Sequence, residues 1–293
     1  MSVTMFNDVR YEVDDYNVLT AMSGSVDKVF IPSVLPNGQK ISVLGNHFCT
    51  GIFSEVVIDD SISYVDNFAF AHSWVDVIVW PSSCKFIPRG CFFGSHVKDL
   101  RNIDHVTSIG ECAFLGTYIE EMRWPSGCEE IPVGCFSDAS LKSISNVQHV
   151  KKIGNRAFSC TWIEKFEWPE NCSVVPEKCF KECRQLKSLD MPDTVTKIGV
   201  EAFGSTSISS FTWPSACAVV PMLCFSMSSL REIHNIQNIS CIESDAFKGS
   251  LLGALDLSCS PLTELKDDSL AGIGKEAVVL PYYMSEDAIS RAF

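Results

Sequence analysis

Short segments of this chain repeat one arrangement of apolar and polar side chains. In Ile119-Glu-Glu-Met122-Arg-Trp124-Pro125 apolar residues stand at the first, fourth and sixth places, polar ones lie between, and a proline follows. Side chains alternate across an extended chain, so the fourth and sixth places share one face and the third and fifth the other. The pattern predicts a short strand. The same frame fits Phe53-Val56-Ile58, Val75-Ile78-Trp80, Ile163-Phe166-Trp168, Leu186-Leu189-Met191, Ile208-Phe211-Trp213 and Leu252-Leu255-Leu257. Proline at the seventh place (Pro81, Pro125, Pro169, Pro192, Pro214) ends the strand, because it offers no N–H to a ladder.

A phenylalanine recurs between strands on a beat of 22 residues, at Phe48, Phe70, Phe92, Phe114, Phe136, Phe158 and Phe180, and then, after one step of 23, at Phe203, Phe225 and Phe247. Such a period means that each unit is one supersecondary element that must stack on its neighbours to bury its apolar face. One strand per coil builds one parallel sheet, with a loop carrying an Ile-Gly or Ile-Pro step (Ile109-Gly110, Ile131-Pro132, Ile153-Gly154, Ile198-Gly199) leading to the Phe that plugs the convex side. The repeat leaves no linker, so one elongated domain is expected rather than two. A second period is superimposed. Trp80, Trp124, Trp168 and Trp213 recur every 44 or 45 residues, and Asn102, Asn146, Met191 and Asn235 hold that place in the intervening coils. Either large alternates with small in a close-packed interior, or the asparagines bond to turn backbone.

The 14 cysteines include four copies of one spacing, Cys84/Cys91, Cys128/Cys135, Cys172/Cys179 and Cys217/Cys224. Alanine replaces the second member in alternate coils (Ala69, Ala113, Ala157, Ala202, Ala246), and valine or isoleucine the first (Val106, Val150, Val195, Ile239). Cysteine therefore stands in for a small apolar residue, and structural thiols are favoured over disulfides or metal ligands. So many thiols suit a reducing setting. Of the six histidines, His105 and His149 occupy the same place two coils apart, about 10 Å along the stack, too far to share a metal. No nucleophile, phosphate-loop or metal motif stands out, so no catalytic residue, cofactor or metal is expected.

The unit L-x-x-I-x-(I/W)-P-x-x-(V/C)-x-x-I-(G/P)-x-x-(A/C)-F, read in Ile119 to Phe136 and Leu186 to Phe203, closely resembles the BspA-type, or Treponema-type, leucine-rich repeat. The likeness covers Val26 to Leu265. Tyr11-Glu-Val-Asp-Asp through Val29-Phe-Ile-Pro32 and Ile41-Ser-Val-Leu44-Gly45 resemble that family's opening cap; Ala277-Val-Val-Leu280-Pro281 and Ser285 to Phe293 resemble its closing strand and helix. The resemblance implies a leucine-rich repeat solenoid, a right-handed coil with one parallel β-sheet on its concave face and roughly 10–12 coils of 22–23 residues. The domains expected are an N-terminal cap and first coil over 1–48, repeats over 49–265, and a capping coil with a short helix over 266–293. It further implies protein binding without catalysis, commonly as a surface adhesin of microbes living in animal hosts.

Composition narrows the partner. A net charge of −13 with no basic run disfavours nucleic acid. Met1 to Arg10 lacks the basic and apolar regions of a Sec-type signal, and no apolar run is long enough to span a membrane. Surface display, by resemblance, and a cytoplasmic location, by the thiols, both stay open. On the outward strand places, Val57, Val77 and Val79 make an apolar patch bordered by Arg101 and Arg123, a composition suited to a protein hot spot and also to plain strand propensity. Lys98, Asp99, Arg101, Glu120, Glu121 and Arg123 alternate in sign, as a self-paired surface does; Lys165 and Glu167 continue these columns, and Ser209, Ser210 and Thr212 form an uncharged zone. The expectation is a monomer that binds another protein, such as a host extracellular protein or glycoprotein, on this face. An intracellular scaffold is the alternative.

Overall fold

The computed structural model describes residues 1–293 and contains two compact units, Met1–Leu141 and Lys142–Phe293. Each is a β-solenoid of stacked coils whose strands pair in parallel from one coil to the next. In the first, the chain opens with an antiparallel hairpin, Ser2–Phe6 against Val9–Val13. Its turn residues Asn7 and Asp8 have φ of 49° and 62°, the left-handed pair that a tight hairpin needs and that these short polar side chains tolerate best. Val9, Tyr11 and Val13 are buried, so the hairpin turns an apolar face inward. Val9–Val13 pairs antiparallel with Val18–Ser23, which runs parallel to Val43–Leu44 and so starts a ladder continued by Tyr64–Val65.

The main sheet of this unit joins Ser25–Ile31, Ile52–Ile58, Trp74–Val79 and Asp99–Arg101 in parallel, each residue opposite its counterpart one coil on: Val29 with Val56, Val56 with Ile78, Ile78 with Leu100. Val29, Val56 and Ile78 are buried, and the residues on either side of them turn outward as period-2 alternation requires. In the second unit Lys165–Glu167 pairs with Ser188–Asp190, Ser210–Thr212 with Glu232–His234, and Leu255–Asp256 with Val278–Val279. The chain closes in a helix, Glu286–Ala292, whose Ser285 hydroxyl accepts the Ala288 N–H at 3.2 Å as an N-cap does.

The Ile-Gly and Ile-Pro steps, expected as loops, carry a second ladder. Phe86–Ile87 pairs with Ser108–Ile109, Val174–Val175 with Lys197–Ile198, and Val219–Val220 with Cys241–Ile242, which pairs with Glu264–Leu265. The second residue of each strand is buried and the first is exposed, or half-buried at Cys241. Two residues suffice because stacked coils bring their backbones into register on every side.

On the remaining side the Phe rings stack coil upon coil, Phe92 to Phe114 at 5.6 Å and Phe114 to Phe136 at 5.2 Å in the first unit, Phe158 to Phe180 at 5.4 Å and Phe203 to Phe225 at 5.3 Å in the second. The backbone bends sharply around them through left-handed residues two places before and two after, such as Gly90 and Gly94 beside Phe92. At Gly90 a Cβ would stand 2.2 Å from the Phe68 ring, so only glycine fits under that neighbour. The turn N–H groups point at the next coil: Phe92 donates to Ala113 at 2.9 Å, and at the end of the second unit Asp268 and Leu270 donate to the Arg291 and Ala292 carbonyls of the closing helix at 2.8 and 2.7 Å.

Each core tryptophan is buried, and its indole N–H donates to the carbonyl four residues on, Trp80 to Cys84 at 2.9 Å and Trp213 to Cys217 at 2.7 Å. The intervening asparagines do not fill the interior beneath it. Asn102 and Asn235 have φ of 61° and turn outward, where their amides donate to the Trp80 and Trp213 carbonyls at 2.8 and 2.7 Å. The backbone-bonding alternative is the one realised, and the buried side chains of those coils are the next residues, Ile103 and Ile236. Cys91, Cys135, Cys179 and Cys224 are fully buried thiols, and Cys84, Cys128, Cys172 and Cys217 nearly so. Burial pushes the first four far above the ordinary thiol range, so they stay protonated and inert.

Candidate functional site

The outward sheet face of the first unit gathers most of the residues singled out from sequence. Val57 stands opposite Val79, and Val79 opposite Arg101; Glu55 stands opposite Val77, and Val77 opposite Asp99. The three valines are half-buried rather than fully exposed, because neighbouring rows lie about 4.8 Å apart and their side chains touch across the strands. The row extends further than the repeat frame indicated. Phe30, in the strand before the first regular coil, lies opposite Val57 and is 50% exposed, so Phe30, Val57 and Val79 form a continuous apolar row ending at Arg101.

The charges beside this row are largely paired. Arg101 Nε meets Asp99 Oδ2 at 2.6 Å, Lys98 Nζ meets Asp76 Oδ1 at 3.1 Å, and Lys28 meets Glu55 at 2.8 Å. Such solvent-exposed pairs contribute only about 0–1 kcal/mol each, so they leave the arginine fork available to a partner at small cost. Arg101, Glu121 and Arg123 line a cleft of about 320 Å³ with Asp99 and Asp104. Lys165 and Glu167 are exposed on the second unit's own sheet, where they lie opposite Ser188 and Asp190.

A second feature of the first unit escaped the sequence frame because it lies one place ahead of the strand pattern. Ile52, Trp74, His96 and Tyr118 recur at 22 residues; Ile52, Trp74 and Tyr118 are 61%, 60% and 50% exposed. The indole of Trp74 stacks on the His96 ring at 5.3 Å and 22°, and His96 lies 4.6 Å from Tyr118. His96 Nδ1 is bonded to Asp76 Oδ1 at 2.9 Å. Burial raises the Asp76 pKa, but the hydrogen bonds and charges of His96 and Lys98 outweigh that effect and hold it below the usual carboxylate range. The signal was present in the sequence: Trp74 is a tryptophan outside the 44-residue series, on the same beat as Tyr118.

A concavity of about 1070 Å³ in the second unit runs along the second ladder between Val174, Val219, Thr196 and Lys197. It is an open trough whose lining does not converge polar groups on one point. No group of three or more His, Cys, Asp or Glu is placed to hold a metal ion, and no helix is long and apolar enough to cross a membrane.

No curated protein matches the sequence. Among solved structures, a leucine-rich repeat protein from Bacteroides ovatus ATCC 8483 is 20% identical, with a TM-score of 0.64 over 96% of this chain and 79% of that one. A leucine rich cell surface protein from Faecalibacterium prausnitzii A2-165 is 17% identical, with a TM-score of 0.47 over 100% of this chain and 97% of that one. The first likeness agrees with the coil architecture described above. The BspA type leucine rich repeat region matches residues 42–161 and 151–273 in 6 copies, well over half of the sequence, and with the strand, asparagine and phenylalanine positions in place the chain belongs to the BspA-type leucine-rich repeat family.

Proposed function

We propose that this chain is a non-enzymatic protein-binding module that captures its partner on the outward sheet face of the first unit. The observation that carries the reading is the row Phe30, Val57 and Val79 ending at Arg101. An aromatic anchor, an aliphatic strip and an adjacent guanidinium are the composition of binding hot spots, and leucine-rich repeat proteins generally bind proteins. An interface of standard size would bury about 800 Å² on this side. The role we assign is that of a microbial adhesin or host-interaction protein whose partner is a host extracellular protein or glycoprotein, as is common in the family.

The test is capture of partner from host extracellular extract by the immobilised chain. Val79→Asp places a charge in the middle of the row and is expected to abolish capture while leaving the thermal midpoint within a few degrees; capture at wild-type strength removes the row from consideration. A second reading, an intracellular scaffold, is favoured by the buried thiols, which suit a reducing compartment. Protein found only in cytosol, and protected from external protease in intact cells, would establish the scaffold and reject the adhesin.

A further inference from the structure

At the opening ends of the same strands, away from the apolar row, lies a separate groove. It holds about 530 Å³ and is lined by Ser25, Asp27, Ile52, Ser54, Trp74 and Asp76, among others. Five residues of extended chain separate Trp74 from Val79, roughly 16 Å at ~3.3 Å per residue, so the groove and the row are different places. Trp74 is the last ring of its stack. His96 stacks on one indole face, and the residue at its place in the preceding coil is Ile52, an aliphatic side chain that is itself exposed. Trp74 is 60% exposed and lines the groove with Ile52, so the indole surface that its neighbours leave open borders it.

We propose that this groove binds a neutral pyranose sugar, with Trp74 as the stacking platform. An indole face is a broad, polarisable apolar surface that matches the C–H face of a sugar ring. Asp76 Oδ1 is occupied by His96 and Lys98, so its second oxygen faces no assigned donor and is fixed in direction by the first. Asp27 adds a second carboxylate, and Ser25 and Ser54 add hydroxyls, which accept from and donate to vicinal hydroxyls. A volume of about 530 Å³ falls within the roughly 300–1,000 Å³ of small-molecule sites and admits a short glycan. A cationic ligand fits less well. Lys98 pairs with Asp76, and a single exposed indole is not the cage of several rings that quaternary ammonium groups select.

The experiment is saturation-transfer NMR of the full chain with methyl glucoside, galactoside and mannoside, and with lactose and cellobiose. Transfer to the ring C–H protons of at least one sugar is expected from the wild type. It should vanish in Trp74→Ala, weaken in Trp74→Phe and Asp76→Asn, and persist in Trp162→Ala, which removes the other exposed tryptophan, 55% accessible and in the second unit. Trp74 projects into solvent, so Trp74→Ala should keep the wild-type thermal midpoint; if it does not, the milder Trp74→Phe and Asp76→Asn decide. No transfer to any sugar, transfer undiminished in all three groove variants, or binding of choline in place of every sugar overturns the proposal.

Discussion

Asn235 offers a sharp test of how successive coils are joined. Its amide donates to the Trp213 carbonyl at 2.7 Å across one coil, from a backbone at φ 61°. Alanine loses the bond, a net contribution of about 0.5–1.5 kcal/mol, and must also hold a left-handed backbone, which costs about 1–2 kcal/mol for a residue with a Cβ and no local hydrogen bond. The sum is roughly 1.5–3.5 kcal/mol, and in a domain of about 150–250 residues each kcal/mol lowers Tm by roughly 2–4 °C. Asn235→Ala should therefore melt about 3–14 °C below the wild type. Glycine accepts the same backbone without strain and loses only the bond, so Asn235→Gly should recover about half of that loss. Asn235→Asp keeps shape and conformational tolerance but sets a carboxylate oxygen against a carbonyl, and should be at least as damaging as alanine. Melting is followed by circular dichroism and by tryptophan fluorescence, because only coincident transitions license a single Tm. If Asn235→Asp melts with the wild type, the bond contributes nothing and the joint is held by packing alone.

Other predictions concern the interior and the surface. Cys224→Ala should cost about 1 kcal/mol, since alternate coils already carry alanine there, whereas Cys224→Ser should cost about 1–3 kcal/mol more by burying a hydroxyl with no partner; urea midpoints in the reverse order would refute the apolar role of the thiol. Burial pushes Cys49 and Cys183 from an ordinary value of 9.0 up to about 12. Unfolded thiols ionise first as pH rises, so their stabilising effect is complete below pH 9 and is lost on the way to about 12; a flat urea midpoint from pH 8 to above 11 would contradict this. Under native conditions at pH 8, a maleimide should modify exposed Cys259 well before Cys91 or Cys135, and peptide mapping of the labelled chain reads the order. Phe30→Ala should weaken capture of a protein partner about tenfold or more; equal capture would confine the hot spot to the valines and arginines.

Much of the coil was legible because its apolar residues recur in a fixed frame. Val56, Ile78, Phe92 and Cys91 fall where period-2 alternation and the 22-residue beat put them. The second ladder was not legible, because Ile87 and Ile109 belong to strands of two residues, too short for alternation to register. Phe30 was missed for a different reason: its strand precedes the regular beat, and only its pairing with Val57 shows which way it faces. Trp74 was hidden by the template itself, which began at Val75. The bonds that Asp76 makes with His96 and Lys98 join residues about one coil apart in sequence, and no local pattern announces them. The asparagines left two readings open, and the choice between them depended on a φ angle that composition does not contain.

The pairing of Trp80 with Asn102, and of Trp213 with Asn235, also sets a ruler for how such a chain can change in length. A gene duplication that copies one tryptophan coil alone, adding about 22 residues, would put one tryptophan coil directly after another and leave a main-chain oxygen with no amide to meet it. One that adds 44 residues, the distance from Trp80 to Trp124, preserves every donor and acceptor. Growth and loss by recombination should thus proceed in doublets, and the single 23-residue step that brings Met191 to the asparagine place marks where that rule has been relaxed.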